Sequence, residues 1–563
     1  MASRPVTLGI DLGTTSVKAA LLEAAPGNPS GFVVLASCAR AARAETESAE
    51  AGSQGQEQDV TRIIQALNEC LDALPRQQLQ RVRAIGVSGQ MHGILFWKSG
   101  QGEDYARRTT STSGARCQGK DATCLTSSVF PNSFMMSVTV TTVQPFQPPP
   151  EVVLKVDIIF KHHNPGQAPD NHLFPDGVVD EEAAHLTLGC EWTEGGPALV
   201  FEPRAVSHLV TWQDGRCNSG FLASLPKPAS HLSVATGFGC ATIFWLLKNS
   251  PEFLKSYDAA GTIQDYVVAM LCGLPRPLMS DQNAASWGYF NTQSQSWNLE
   301  ILEMAGFPVH LLPDIAEPGS TAGRTSHSWF EIPKGTQVGV ALGDLQASVY
   351  SCMSRRTDAV LNISTSIQLA ASMPVGFQPL QTPDPAAPVA FFPYFDKTYL
   401  GVAASLNGGN VLATFVHMLV QWMADLGLEV EESTVYSRMI EAAAQQKDTH
   451  LTITPTVLGE RHLPDQLASV TRISSSDLSL GHVTRALCRG IVQNLHSMLP
   501  FHQLQEWRVE RVMGSGSALS RNEVLKQEVQ RAFPLPLCFG QDVDAAFGAA
   551  LVMLRRDLDQ KEP

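Results

Sequence analysis

The first pattern along the chain is a pair of apolar runs separated by small residues. The run VTLGID (6–11) ends on Asp11, residues 12–15 read LGTT, and SVKAALLE (16–23) is apolar again. Short apolar runs bounded by turn residues are typical of buried strands, and a glycine between them favours a hairpin. The pattern predicts a β-hairpin over residues 5–24. A carboxylate ends its first strand and must be satisfied by a backbone amide, a cation or a ligand.

A helix and a further strand follow this hairpin, after a polar stretch with little periodicity over 45–58. Asp59 is a typical N-cap, and the apolar residues after it recur at helical spacing. They are Ile63, Ile64, Leu67, Cys70, Leu71 and Leu74. Pro75 ends the helix, and the apolar run at 82–88 predicts a buried strand. A hairpin, a helix and a strand in this order indicate an α/β layer structure.

The same alternation of helices and strands resumes after residue 205. Helices are predicted at 240–256, 261–272, 409–426, 432–446, 481–498, 520–532 and 543–558, and strands at 337–342, 358–363, 398–404 and 509–513. Proline and glycine cluster near 318–335, which is typical of a connection between domains. We therefore expect two large α/β halves, residues 1–330 and 331–563.

Residues 103–189 interrupt the first half and differ from it in composition. Serine, threonine, proline and polar residues dominate there, apart from a strand-like run at 152–160. A segment with few apolar residues cannot bury enough surface to offset the entropy that ordering removes. We expect a long disordered insertion. Its abrupt composition favours a splice variant or a gene-model artefact.

Composition narrows the partners and the compartment. Hydrophobic residues make up 44% of the chain and charged residues 17%, and the net charge is −14. Because long basic runs are absent, neither nucleic acid nor an anionic membrane surface is an expected partner. No run of about 18 apolar residues predicts a membrane span, and no signal peptide is recognisable. The 11 cysteines lack disulfide or metal spacing, so we expect reduced thiols and a cytoplasmic location.

Three turns rich in small residues follow apolar strands and suit phosphate or nucleotide binding. Residues 13–15 combine a glycine with two threonines whose amides can donate to phosphate oxygens. Asp11 beside them can hold a hydrated Mg²⁺ that bridges the phosphates. The other turns are STS at 364–366 and GSGS at 514–517. A plain hairpin turn closed by an Asx-type hydrogen bond is the alternative for the first. Together they predict a nucleotide held between the halves.

Asp344 and two stretches of the first half suit an acceptor with several hydroxyls. Asp344 follows an apolar strand and a glycine at a predicted helix start, where a carboxylate can accept the proton of an attacking hydroxyl. The alternative is an ordinary helix N-cap. Residues 86–93 (GVSGQMHG) and 211–216 (TWQDGR) are rich in groups that bind a polyol. Those groups are Gln90, His92, Trp212, Asp214 and Arg216.

These stretches, in this order, resemble the FGGY family of carbohydrate kinases, in the superfamily of actin, sugar kinases and heat-shock ATPases. The resemblance covers the chain outside 103–189 and rests on DLGTTS, GQMHG, TWQDGR, ALGD, STS, NGGN, GERHLP and GSGSALS. It implies two actin-like (ribonuclease H-like) domains with a ligand cleft between them. It also implies transfer of the ATP γ-phosphoryl group to a ketose hydroxyl. The nearest likeness is to members that act on a seven-carbon ketose and feed the pentose phosphate pathway.

The resemblance implies a role for each matching residue. Asp344 would be the general base, and Asp11 would organise Mg²⁺, through water. The residues implied to bind the nucleotide and its phosphates are Gly13, Thr14, Thr15, Ser364, Thr365, Gly408, Gly409, Gly514, Ser515 and Asn522. Those implied to contact the sugar, besides Asp344, are Gln90, Met91, His92, Trp212 and Asp214. Ser364 departs from the family pattern, since many members have glycine there.

Two other functions stay open at the level of the residues. No residue type separates a seven-carbon from a five-carbon ketose, so a kinase resembling xylulose kinases is one alternative. A non-catalytic actin-like protein that uses ATP as a conformational switch is the other, although Asp344 and the QMH stretch argue against it. The expected ligands are MgATP and a small sugar, and the oligomeric state is left open.

Overall fold

The computed structural model describes residues 4–25, 31–99, 105–107, 138–139, 157–158, 199–380, 382–384, 386–463, 465–540 and 544–559. Most of the expected insertion at 103–189 lies outside these residues. Two mixed β-sheets and the helices that pack on them make up the described chain. Among the described residues, no helix has the length and apolar character needed to cross a bilayer.

The first sheet is built on the predicted hairpin. In order across the sheet, its strands are Thr321–Arg324, Gln337–Gly339, Val82–Gly89, Val6–Leu12, Ser16–Ala24 and Phe32–Ala41, with Leu342–Gly343 beside Val82–Gly89. The hairpin strands pair antiparallel, whereas Val82–Gly89 runs parallel to Val6–Leu12. Every residue of Val6–Leu12 is buried, which explains its nearly continuous apolar run. The hairpin prediction is confirmed.

The second sheet repeats this arrangement in the second half of the chain. In order, its strands are Val389–Pro393, Tyr399–Ser405, Ile367–Ser372, Asp358–Ile363, Arg511–Ser515 and Leu537–Phe539. A hairpin of Asp358–Ile363 and Ile367–Ser372 leads it, and Arg511–Ser515 runs parallel to the first of these strands. Each sheet therefore has antiparallel pairing on one side of its first strand and parallel pairing next to it on the other side. The edge strand Thr321–Arg324 of the first sheet pairs antiparallel with Gln337–Gly339.

Helices cover both sheets, close to the predicted positions. Their bounds are Val60–Asp72, Arg76–Leu79, Ser219–Ser224, Gly239–Asn249, Pro251–Leu254, Ile263–Cys272, Asp281–Trp287, Leu299–Met304, Asp344–Cys352, Gly409–Asp425, Glu432–Ala444, Leu480–Met498, Phe501–Glu506, Ser517–Arg521, Glu523–Ala532 and Ala545–Asp559. The Asp59 carboxylate accepts a hydrogen bond from the amide of Thr61, which confirms the predicted N-cap. The apolar face predicted for that helix is buried.

Short strands complete the described chain. They pair as Gly52–Gln58 with Glu45–Ser48 and Leu209–Val210, Leu95–Trp97 with Ala259–Gly261, Tyr105–Arg107 with Leu199–Phe201, Val138–Thr139 with Asp157–Ile158, Leu278–Ser280 with Asp314–Ala316, Phe290–Asn291 with Ser296–Trp297, and Thr452–Thr454 with Ser469–Thr471. The polar stretch at 45–58, for which the sequence predicts no element, thus forms two strands.

The C-terminal helix Ala545–Asp559 packs on the first sheet, far from its neighbours in sequence. Two glycines of that sheet permit the close approach of its backbone. A Cβ atom at Gly9 would lie 1.8 Å from the carbonyl oxygen of Ala546, and one at Gly86 would lie 2.1 Å from that of Ala549. Side chains at these positions would push the helix away. The end of the chain therefore contributes to the layer that contains Asp11.

The strands change sheet between Gly343 and Asp358. Asp344, expected in the second half, thus directly follows a strand of the first sheet, because Leu342–Gly343 pairs with Val82–Gly89. The division of the chain into domains 1–330 and 331–563 stays a prediction, since membership of a sheet does not by itself define an independent domain.

Candidate active site

Two carboxylates lie at the same edge of the first sheet. Asp11 is the next-to-last residue of the strand Val6–Leu12, opposite Lys18 in the hairpin register. Asp344 begins the helix after Leu342–Gly343. Because parallel strands end at a common edge, the topology brings the two acids together. Burial and the negative charge of Asp344 raise the pKa of Asp11 to about 7, whereas the charge of Lys18 lowers it. Among the described residues, the carboxylates at this edge of the sheet therefore outnumber the one cation, Lys18, that acts on them.

Asp344 is not the N-cap of its helix. Gly343 occupies the cap position, and Asp344 is the first helical residue, partly buried. Its Oδ1 accepts a hydrogen bond of 2.7 Å from the amide of Leu345. Burial raises the pKa of Asp344 to about 6, against the lowering effects of backbone hydrogen bonds and Lys18. The alternative of an ordinary N-cap is therefore wrong for Asp344. Asp344 is instead a carboxylate at the sheet edge with a pKa close to neutral pH.

Lys18 and Asp544 belong to this cluster, although sequence reasoning missed both. The Lys18 ammonium lies 3.7 Å from the Asp544 carboxylate. Asp544 also accepts a hydrogen bond from the amide of Phe547 and so caps the C-terminal helix. The alternation of the second hairpin strand could have indicated Lys18. No local signal indicates Asp544, because only the packing of the last helix brings it here.

A hydrogen-bond network joins the first phosphate-type turn to the predicted sugar residues. Trp212 Nε1 donates to Thr14 Oγ1 at 3.0 Å, and Gln58 Nε2 donates to the Thr14 carbonyl at 2.7 Å. Gln90 Nε2 donates to Gln58 Oε1 at 3.0 Å. Gln90 is only 1% exposed, so its amide orients this network instead of facing open space. Its predicted role as a sugar ligand is corrected accordingly.

Met91 and His92 follow the strand end beside Asp344. A Cβ atom at Gly343 would lie 2.8 Å from Met91 Sδ, so Met91 packs under the turn that carries Asp344. His92 has a left-handed φ of 71° and its Nδ1 donates to the Ser286 carbonyl at 2.9 Å. Burial and the charge of Arg461 lower the pKa of His92 to about 3. The imidazole is therefore neutral, with Nε2 left as an acceptor.

Asp214 is committed to a buried ion pair. Arg216 donates from Nε to Asp214 Oδ1 at 2.8 Å, and from Nη2 to Asp214 Oδ2 at 3.0 Å and to Glu57 Oε1 at 2.7 Å. The backbone amide of Gln56 also donates to Asp214. The Asp214 side chain has no exposed surface. We therefore correct its predicted role from sugar ligand to support for the loop that presents Trp212.

The turn at 364–366 lies against the start of a long helix. The amide of Gly409 donates to the Ser364 carbonyl at 2.8 Å, and that of Asn410 donates to the Thr365 carbonyl at 3.0 Å. A Cβ atom at Gly409 would lie 2.3 Å from the Ser364 oxygen, so glycine permits this contact. Gly408 caps the helix Gly409–Asp425. The structure thus brings two predicted nucleotide segments together at a helix N-terminus, where the first helical amides hold the turn.

The third turn ends the strand Arg511–Ser515, which runs parallel to Asp358–Ile363. Gly514 and Ser515 border a cavity of about 490 Å³, together with Phe539 and Asp544. Asn522 does not face it. The Asn522 side chain is fully buried and accepts hydrogen bonds from the amides at the start of the helix Glu523–Ala532. Asn522 is a helix cap, which corrects its predicted role in lining the nucleotide.

The described residues hold no group of three or more His, Cys, Asp or Glu side chains arranged to bind a metal ion. A Mg²⁺ ion that binds nucleotide phosphates keeps several water ligands and needs only one or two carboxylates. Burial raises the pKa of Asp11, and the negative charges of Asp344 and Asp544 raise it further, so a bound cation would favour the ionised carboxylate. The residues at the sheet edge therefore fit Mg²⁺ bound with phosphate and water, and do not fit a metal held by protein ligands alone.

Known proteins share this architecture and sequence. The model of the FGGY family of carbohydrate kinases, N-terminal domain, matches residues 6–152 and 202–350. The chain is similar to Sedoheptulokinase of Mus musculus (79% identical over 563 residues) and of Homo sapiens (74% identical over 564 residues). Each alignment covers the whole of this chain and the whole of the relative.

A solved xylulose kinase from Rhodospirillum rubrum superposes with a TM-score of 0.66 at 14% identity, covering 98% of this chain and 90% of that one. This likeness supports the fold, and the predicted class of two actin-like α/β domains is confirmed. The family model covers more than half of the chain, and the likeness to the mouse and human proteins is complete in length. The chain belongs to the FGGY family of carbohydrate kinases.

Proposed function

We propose that this kinase transfers the γ-phosphoryl group of ATP to the 7-hydroxyl of sedoheptulose, forming sedoheptulose 7-phosphate for the pentose phosphate pathway. The full-length similarity to two proteins named Sedoheptulokinase supports the choice of sugar. The observation that carries the chemistry is the meeting of Asp11, Asp344 and Lys18 at one sheet edge. We also propose a cytoplasmic location, which the free thiols of the described cysteines support.

Asp344 is the proposed general base. A pKa of about 6 leaves its carboxylate ionised at neutral pH, yet basic enough to accept a proton from a hydroxyl as that hydroxyl attacks phosphorus. The amide of Leu345 donates to Oδ1 of this carboxylate, and Oδ2 is the proposed contact for the sugar hydroxyl. Proton transfer of this kind contributes roughly 10²- to 10⁴-fold to a rate.

The two hairpin turns are the proposed phosphate sites. Thr15 and Thr365 are exposed at the tips of turns that occupy equivalent places in the two sheets. Phosphoryl transfer depends mainly on in-line positioning and on neutralising charge. Lys18 supplies positive charge beside both catalytic carboxylates. Asp11 would hold Mg²⁺ through water, and the ion would screen the charge of the phosphates when bound.

The neutral His92 and the ring of Trp212 are the proposed sugar contacts. His92 Nε2 accepts a hydrogen bond from a hydroxyl, since Nδ1 is fixed by Ser286. Trp212 is half-buried and offers a flat apolar face, which suits the C–H surface of a sugar. Met91, Gln90 and Asp214 hold these two residues and Asp344 in place.

A substrate panel tests the proposal. The purified full chain is assayed for ADP release with sedoheptulose, D-xylulose, D-ribulose and glycerol, each with and without MgATP. We expect the highest kcat/KM for sedoheptulose. A higher kcat/KM for xylulose would assign the alternative ketose. ADP release that does not depend on any sugar would contradict the kinase role and favour an ATP-dependent switch.

A further inference from the structure

Residues 455–463 connect the nucleotide side of the site to the sugar side. This loop belongs to the second half and is anchored there by Glu460, which is 1% exposed. The Glu460 carboxylate accepts hydrogen bonds from Ser405 Oγ at 2.5 Å, Asn407 Nδ2 at 2.8 Å and Asn494 Nδ2 at 2.8 Å. Asn407 directly precedes the predicted nucleotide glycines 408–409. The loop is therefore fixed to the nucleotide segment.

Arg461, the next residue, points the other way. Its side chain is exposed, and its guanidinium carbon lies 6.0 Å from the centroid of the Trp212 ring in the first half. Its positive charge also reaches His92 and helps to lower the pKa of that residue. Among the described residues, no carboxylate or carbonyl accepts a hydrogen bond from it. The guanidinium of Arg461 therefore lies near both proposed sugar contacts, Trp212 and His92, without a hydrogen-bond acceptor among the described residues.

The two cations of the site act on different groups. The charge of Lys18 lowers the pKa of both Asp11 and Asp344, so Lys18 is the cation beside the reacting phosphoryl group. The charge of Arg461 acts on His92, a residue whose neutral ring suits a hydroxyl. A guanidinium has five N–H donors and no acceptor. Next to a neutral imidazole and an indole face, the matching ligand is a set of sugar hydroxyl oxygens.

We propose that Arg461 is a sugar ligand supplied by the second half of the chain, which donates hydrogen bonds to ketose hydroxyls lying against Trp212 and His92. This inference rests on the proposed function. The loop makes recognition of the sugar depend on the nucleotide segment, because Glu460 binds Asn407 while Arg461 faces the sugar. A longer ketose offers this guanidinium more hydroxyls than a shorter one.

The test compares Arg461→Met and Arg461→Lys with a control, Arg472→Met, which changes an exposed arginine of the same region. The Met side chain keeps an apolar stem over Trp212 and loses the charge and the donors. For Arg461→Met we expect the KM for sedoheptulose to rise roughly tenfold, as expected for a lost charged hydrogen bond. We expect little change in kcat or in the KM for ATP. Arg461→Lys restores part of the loss, and the control resembles the wild type.

Isothermal titration with sedoheptulose alone and with a non-hydrolysable ATP analogue gives a second readout that does not require turnover. We expect the analogue to tighten sugar binding in the wild type, and less so in Arg461→Met. An unchanged sugar KM and affinity in an active Arg461→Met enzyme would overturn the proposal. A loss of kcat with unchanged KM would also overturn it and assign Arg461 to the phosphoryl group. If the wild type phosphorylates no ketose, the proposed function fails instead.

Discussion

The indole Nε1 of Trp212 donates a hydrogen bond of 3.0 Å to the hydroxyl of Thr14. Trp212 is on the loop supported by the buried Asp214–Arg216 pair, and Thr14 is in the turn that follows Asp11. The proposed sugar face and the proposed phosphate turn thus share one contact. A change at this contact should therefore alter the binding of both substrates.

We expect Thr14→Val to raise the KM values for both ATP and the ketose. Valine keeps the shape of threonine but removes the oxygen that accepts from Trp212 and the hydroxyl that donates to Gln90. The unpaired indole N–H should cost about 1–3 kcal/mol, which weakens the placement of Trp212. Steady-state kinetics with each substrate varied in turn measure the effect. Thr14→Ser keeps the oxygen and is the control; a loss as large as that of valine would contradict the role of the hydrogen bond.

Asp344→Asn should abolish most turnover while leaving nucleotide binding intact. The amide has the same shape and can still accept from the Leu345 amide, but it cannot take a proton. We expect kcat to fall roughly 10²- to 10⁴-fold, the usual contribution of a general base. Titration of ATP should give a Kd close to that of the wild type. Asp314→Asn, at an exposed ion pair, is the matched control. Full turnover in the Asp344 variant would exclude it as the base.

The pH profile should show an acid limb set by Asp344 and Asp11, because the pKa of Asp11 is raised to about 7. The pKa of Asp344 is raised to about 6 by burial, so the carboxylate is protonated and inactive below that pH. We expect kcat/KM to fall at least about tenfold for each pH unit below 6 and to level off above about pH 7. Because the charge of Lys18 lowers this pKa, Lys18→Met should move the limb to higher pH. A limb that stays in place or moves to lower pH would separate it from Asp344.

Much of the architecture follows from local pattern in the sequence. The buried strand Val6–Leu12, the cap at Asp59 and the helix after it follow from local pattern, because the strand is one apolar run and the helix has one apolar face after a capping residue. The turns at 13–15 and 364–366 are equally visible, since each interrupts an apolar run with small residues. The family resemblance then assigns these elements to two actin-like domains.

The corrected assignments share a different physical cause. Asp214 looks like a free polar group until Arg216 and Glu57 are brought around it, and Glu57 comes from the polar strand Gly52–Gln58, which has no apolar periodicity. Asp544 reaches the site only through the packing of the last helix on the first sheet. These contacts join residues far apart in sequence, so no local pattern carries them. The cap formed by Asn522 is the exception, since asparagine before a helical stretch is a local signal.

Arg216→Met should destabilise the fold strongly. Arg216 is 1% exposed and neutralises the buried carboxylates of Asp214 and Glu57. Removing it leaves two buried negative charges, and breaking a buried ion pair costs about 3–5 kcal/mol. The free energy of unfolding in urea measures the loss. Arg438→Met removes an exposed pair with Glu441 and should change stability by less than about 1 kcal/mol. Equal effects of the two substitutions would contradict this role of the buried pair.

A chain lacking residues 103–189 should fold and phosphorylate the ketose about as well as the full chain. The residues that flank the segment contact each other directly. Trp97 forms a β-bridge with Val206, and the amide of Lys98 donates to the Ala205 carbonyl at 3.1 Å. The family model leaves 153–201 unmatched, whereas its match includes 103–152. The deletion removes the strand Tyr105–Arg107 and its pairing with Leu199–Phe201. It leaves the contacts of Trp97 and Lys98 in place and shortens the loop between them and their partners.

The thermal midpoint and both KM values of the shortened and full chains measure this prediction. The KM for the ketose is the sensitive readout, because the segment follows the strand Leu95–Trp97, a few residues after His92. Equal values would support the prediction of an insertion, whereas loss of the thermal transition would show that the segment belongs to the core. Mass spectrometry of the native protein is the independent check: peptides from within 103–189 would rule out the artefact hypothesis and leave an insertion that is present in the cell.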